Sequence, residues 1–202
     1  MRTLLLAALL VLPRVAAAGP ALGLRLGYAI ASGEASDGTP MTEVAKADLP
    51  LQLDASWRFG PHFSTGLYFS YGFTRLDASV ADHCDAIGAD CSVSRIRAGI
   101  QAAWAFTDWS QRYAPWIGLG IGYEWIKESA SLQGESGVQH LSGWELLDLQ
   151  AGLDVVTYRK LAVGPYVDWS PLAWFNRLDG SSIVKKGFHQ WFGFGVRGTF
   201  DL

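Results

Sequence analysis

Period-two alternation runs through almost all of this chain, in about eight segments joined by connections that alternate long and short. The last segment is the clearest. Phe192, Phe194, Val196, Gly198, Phe200 and Leu202 share one face, and Gly193, Gly195, Arg197, Thr199 and Asp201 share the other. Such alternation means strand, because successive side chains of a strand point to opposite faces. An even number of these strands behind an export signal predicts a transmembrane β-barrel. Lipid offers the backbone no hydrogen-bond partner, so a sheet must close on itself to cross it.

The earlier segments follow the same rule. The first runs over Leu22–Ile30, with Leu22, Leu24, Leu26, Tyr28 and Ile30 outward. The second covers Leu49–Phe59 and turns at Gly60-Pro61 into the third, Phe63–Phe73. The fourth carries Ile96, Ala98, Ile100, Ala102, Trp104 and Phe106 outward, and the fifth carries Ile117, Leu119, Ile121, Tyr123 and Trp125. The sixth places Leu147 to Val155 outward in alternation, and the seventh Leu161 to Trp169. Pro165 in the seventh removes a ladder donor and predicts a bulge there. Long loops are expected over Ser32–Asp48, Thr74–Cys91, Lys127–Ser142 and Ser170–Lys186, all at one end. Each segment is about ten residues long, as a tilted strand needs to cross a bilayer. The fold class is therefore all-β: an eight-stranded antiparallel up-and-down transmembrane β-barrel.

The start of the chain reads as a secretory signal peptide over residues 1–18: Arg2, an apolar run from Leu4 to Leu12, and Ala16-Ala17-Ala18 as a small-residue cleavage site. The barrel domain is then 19–202, with Gly19 opening the mature chain. Charged residues make up only 17% of the chain, below the quarter or so usual in soluble domains. The net charge of -3 argues against nucleic-acid binding, which needs a basic face. In an exported protein Cys84 and Cys91 predict a local disulfide; the competing reading is a metal site with His83, Asp85 and Asp90.

A secreted soluble barrel would turn its apolar face inward instead. Against that, the polar face here is mostly Gly, Ala and Ser with a few charges, which suits a crowded interior. The lysines (Lys46, Lys127, Lys160, Lys185 and Lys186) all fall in predicted loops or turns. Aromatics collect in two girdles, Trp57, Phe59, Phe63, Trp104, Phe106 and Phe200 at one end and Tyr71, Phe73, Tyr123, Trp125 and Trp169 at the other. On these features the chain resembles the small outer-membrane barrels of the OmpA and OmpX type in diderm bacteria. The closing Phe200-Asp201-Leu202 resembles their C-terminal sorting signal, with leucine where an aromatic is usual. The resemblance implies residence in the bacterial outer membrane and insertion by periplasmic chaperones and the barrel-assembly machinery. Long loops would be extracellular and termini periplasmic. It implies no single activity, because fold does not settle function.

Inside the barrel, Arg25, Arg58, Arg95, Arg97 and Arg197 oppose Asp54, Glu124, Asp148, Asp154 and Asp168. Buried charges need partners, so the set predicts a paired structural network, or the lining of a narrow ion or solute pore. His140-Leu141-Ser142, with Glu145 or Asp148 nearby, is similar to the His-x-Ser of outer-membrane lipid A deacylases and defines a hydrolase alternative. Glu34, Asp37, Glu43 and Asp48 make the first loop acidic, and Asp77, Asp82, Asp85 and Asp90 the second. They are read as a solvated surface, with bridging through cations to lipopolysaccharide as the alternative; no calcium-loop spacing occurs. Leu172, Trp174, Phe175 and Leu178 form an apolar cluster expected to fold back over the barrel. The expected function is that of a non-enzymatic outer-membrane barrel, without cofactor, metal or catalytic residues, displaying four loops for an extracellular ligand or supporting the envelope. Its expected partners are outer-membrane lipids and lipopolysaccharide.

Overall fold

The computed structural model describes residues 17–202 apart from 37, 133–134, 159, 180 and 183–186. The proposed signal segment lies outside the described residues except for Ala17 and Ala18, whose backbone opens the first strand. The strands are β1 (Ala17–Ser36), β2 (Thr39–Pro40), β3 (Ala47–Phe59), β4 (Phe63–Arg75), β5 (Asp90–Ala105), β6 (Tyr113–Leu132), β7 (Glu135–Tyr158), β8 (Leu161–Leu178), β9 (Ser181–Ser182) and β10 (His189–Asp201). Two helices, α1 (Met41–Val44) and α2 (Ala78–Ile87), lie in the first two long connections. The eight long strands pair antiparallel in sequence order, and β10 pairs with both β1 and β8, which closes the ring. β2 and β9 are two-residue additions in the connections.

The alternation read from the sequence is the alternation of the wall. Leu67 on the outer face is 62% exposed, whereas Arg95 on the inner face is 1% exposed. A soluble protein inverts this arrangement; a lipid-facing wall requires it. The aromatic residues of both expected girdles stand on the outer face. The β3–β4 hairpin pairs Phe59 with Phe63 across a turn in which Gly60 takes φ 68°, a conformation a side chain would strain.

Three expectations need correction. Lys127–Ser142 is not a loop: β6 and β7 stay paired from Lys127 opposite His140 to Leu132 opposite Glu135. At about 3.3 Å per residue this hairpin extends the wall by roughly 20 Å. Both of its faces are polar, so it carries no period-two signal. The first part of the Ser170–Lys186 loop is likewise strand, since β8 continues to Leu178. And Pro165 sits in no bulge. It lies opposite Val196 of β10, and on the β7 side the register runs unshifted from Gly152–Tyr166 to Val155–Val163, with the intervening pairs left out of the ladder.

Apolar clusters fill both ends of the interior. At the short-turn end Trp109, from the β5–β6 turn, packs with Ala105, Ala114, Trp116 and Tyr166. At the long-loop end Met41 of α1, Ile126, Leu141, Phe175 and Trp191 form a second cluster, with Val44, Leu76 and Leu178 against it. Of the apolar residues expected to fold back, Phe175 is fully buried here, and Trp174 meets Phe188 edge-on.

Candidate functional site

The wall concentrates its charge in the interior between those two clusters, and every interior charge read from the sequence lies there. The lowest tier holds Arg58, which donates to Asp201 at 2.7 Å and lies 4.9 Å from the Trp109 ring. Beside it Arg197 donates to Thr199 at 3.0 Å and lies over Trp116 at 4.4 Å. The Trp116 indole N–H donates to Asp154 at 3.1 Å.

The middle tier is one continuous network. Arg25 donates through Nε to Asp54 at 2.7 Å, and through its two terminal nitrogens to Gln150 at 2.9 Å and Gln101 at 3.0 Å. The remaining oxygen of Asp54 accepts from the amides of Gln52 and Gln101. Gln150 in turn donates to Asp148 at 2.7 Å. Arg97 grips Glu145 with both Nε and Nη2 and reaches Asp148 at 3.3 Å, while the Ser170 hydroxyl donates to Glu145 at 2.8 Å. Asp168 has no ion pair among the described residues and packs against Gly193, where a β-carbon would stand 2.5 Å from its Oδ1.

In the upper tier Arg95 donates to Glu124 at 2.8 Å and to Asp48 at 3.5 Å, with its guanidinium 3.8 Å from the centre of the Trp191 ring. Glu124 also meets His189 Nε2 at 3.2 Å and accepts from the Trp191 indole at 3.2 Å. His189 stacks on Phe175, which joins this tier to the apolar cluster above.

Two lumenal carboxylates escape the alternation as read along the sequence. Asp48, assigned above to the acidic first loop, is 1% exposed inside the barrel. Its signal is present, because the alternation of β3 puts residue 48 on the face of Asp54. Glu145, grouped above with His140 and Ser142, is fully buried in the lumen. Here β7 carries a bulge: Gly120 lies opposite Asp148 and Gly122 opposite Glu145, so one extra residue enters at Leu146-Leu147. A bulge reverses the parity of everything beyond it. The adjacent leucines are its signal. His189 is likewise interior.

Strand alternation separates Glu145 from His140 and Ser142 in the hydrolase constellation, and the bulge puts Asp148 on the lumenal face as well. Ser142 accepts from the Tyr123 hydroxyl at 3.1 Å, His140 is exposed, and Glu145 and Asp148 are held in the lumen by Arg97. Cys84 and Cys91 form the expected disulfide, with Cα atoms 6.2 Å apart. Among the described residues no group of three or more His, Cys, Asp or Glu is placed to hold a metal ion. At two inward glycines a neighbouring side chain occupies the space. A β-carbon at Gly152 would stand 2.6 Å from the Trp116 ring, and one at Gly122 would meet the Tyr68 hydroxyl. The lumenal cavity bounded by Arg25, Ser64, Gln101 and Arg197 measures about 10 Å³, roughly the room one water needs.

Comparison with known proteins agrees with this architecture. No family model matches the sequence, and no curated protein does. Among solved structures, Neisserial surface protein A superposes with a TM-score of 0.61 at 12% identity, over 92% of this chain and 99% of the other. A major outer membrane protein from Thermus thermophilus gives 0.53 at 8% identity, over 91% and 99%. The outer membrane protein OprG from Pseudomonas aeruginosa gives 0.52 at 13%, over 91% and 97%. At such identities the likeness is one of fold, that of the small outer-membrane β-barrels.

Proposed function

We propose that the protein is an outer-membrane β-barrel with a sealed lumen, without catalytic activity, whose function lies in its long connections or in envelope integrity. The observation that carries this reading is the occupied interior: three tiers of hydrogen-bonded charged side chains between two apolar clusters, around a cavity of about 10 Å³. The charge network then holds the wall together and does not conduct. The long-loop end faces outward, where α1, α2 and the β6–β7 extension meet lipopolysaccharide headgroups or an extracellular ligand. Insertion proceeds through periplasmic chaperones and the assembly machinery, as for other barrels of this size.

The test is single-channel conductance of the mature barrel in a planar bilayer, with a heat-dependent gel shift as the folding control. Silence from the folded protein is the expected result. Stable ion-selective steps, abolished by neutralising Arg95 and Arg97, would make it a narrow pore instead.

A further inference from the structure

A larger cavity lies outside the lumen, at the long-loop end. Residues of all four long connections meet above the upper apolar cluster and line an open hollow of about 480 Å³, within the range of small-molecule sites. Its floor and walls are Val44, Leu76, Val80, Val93 and Val138. Val44 and Leu76 also pack on the upper cluster, so the floor is part of the folded interior. Val80 is carried by α2, which the disulfide ties to β5.

Three carboxylates border this apolar space: Glu43, Glu128 and Asp179. Asp179 is fixed by two bonds across to β7, its Oδ1 accepting from the His140 N–H at 2.7 Å and its own N–H donating to the His140 carbonyl at 2.8 Å. Glu128 is half-buried in the wall, and its Oε1 is shut off from solvent with no hydrogen-bond partner among the described residues. Burial and the neighbouring Asp179 carboxylate push its titration up. No lysine or arginine lines the cavity among the described residues. Carboxylates bordering an apolar space are matched by a cation that donates to them.

We propose that this cavity binds a small apolar molecule carrying a protonated amine, with the apolar body against the valines and the ammonium at Glu128 and Asp179. A divalent metal does not fit, because among the described residues the carboxylates form no ligand cluster. The three carboxylates disfavour an anionic ligand. The proposal rests on the reading that the long-loop end carries the function. It is independent of conductance, so a pore with this pocket and a sealed barrel without it remain distinguishable.

The probe is tryptamine, with indole-3-acetate as its anionic counterpart, titrated into the mature barrel in lipid nanodiscs with valine methyls labelled for NMR. Tryptamine is expected to shift the methyls of Val44, Val80, Val93 and Val138 saturably, and indole-3-acetate to leave them in place. Glu128→Gln keeps the shape and is expected to weaken tryptamine binding by at least about tenfold, the scale of one charge-assisted bond. Val80→Phe, which fills the hollow from the opposite side, is expected to abolish the shifts, with the gel shift confirming that both variants fold. Equal shifts from the anion, no saturable response to the amine, or affinity within about twofold in Glu128→Gln would each overturn the proposal.

Discussion

Arg25 and Arg97 sit in the same network and hold it together differently. Arg25 faces one carboxylate and two glutamine oxygens, so its tier is close to a neutral pair embedded in amides. Asp54 would still receive two amide donors if Arg25 were gone. Among the described residues Arg97 alone forms ion pairs with Glu145 and Asp148. In a low-dielectric interior an unpaired charge costs far more than an intact pair contributes. The strength of such a wall therefore depends on how many carboxylates each guanidinium must answer, more than on the number of ion pairs.

The largest effect is expected from Arg97→Ala, which strands two buried carboxylates and is expected to cost about 3–5 kcal/mol, read from urea unfolding in lipid vesicles. Arg25→Ala is expected to cost less, about 1–3 kcal/mol, in the same assay. Equal losses would break the distinction between the two arginines. Replacing Arg97, Glu145 and Asp148 together by Met, Leu and Leu sharpens it. That variant is expected to lie within about 1–2 kcal/mol of the parent, because neither ion pair of Arg97 is left half-formed. A loss as large as that of Arg97→Ala would mean the network contributes outright stability.

Removing the disulfide with Cys84→Ser and Cys91→Ser acts on the connection alone. It is expected to loosen α2 by about 2–3 kcal/mol, seen as faster amide exchange over Ala78–Ile87 with the barrel's unfolding midpoint unmoved. The smallest effect belongs to Asp77, the N-cap of α2. The Ser79 backbone N–H, Lys46 and the Ser79 hydroxyl together lower its titration from 3.8 to about 2. A carboxylate depressed on folding contributes stability that is present above 3.8 and lost as the pH falls through about 2. Amide exchange in α2 is therefore expected to rise over that acid window, and Asp77→Asn is expected to remove the dependence.

How much of this was legible follows one physical rule. Where a strand separates lipid from a packed interior, every second residue must be apolar, and Arg25, Asp54, Arg95, Glu124 and Asp154 could be assigned to the lumen by parity alone. Parity fails where a bulge inserts a residue, which hid Glu145, and where both faces meet water, which hid the β6–β7 extension as a loop. Asp48 escapes for a simpler reason: the polar run before it draws the strand boundary at Leu49, two residues later than Ala47.

The sequence by itself determined the barrel, its strand count, the direction of its two faces and the disulfide, because each follows from local alternation or spacing along one strand or loop. Only the tertiary structure decided which arginine answers which carboxylate. Those partners lie as much as 143 residues apart, as with Arg58 and Asp201, and their meeting depends on ring closure and on register shifts in β7 and β8. The structure also decided how the lumen packs around Arg25, Ser64, Gln101 and Arg197, which leave a cavity of about 10 Å³. Filling depends on how side chains from opposite walls interdigitate, and alternation along a single strand carries no information about that.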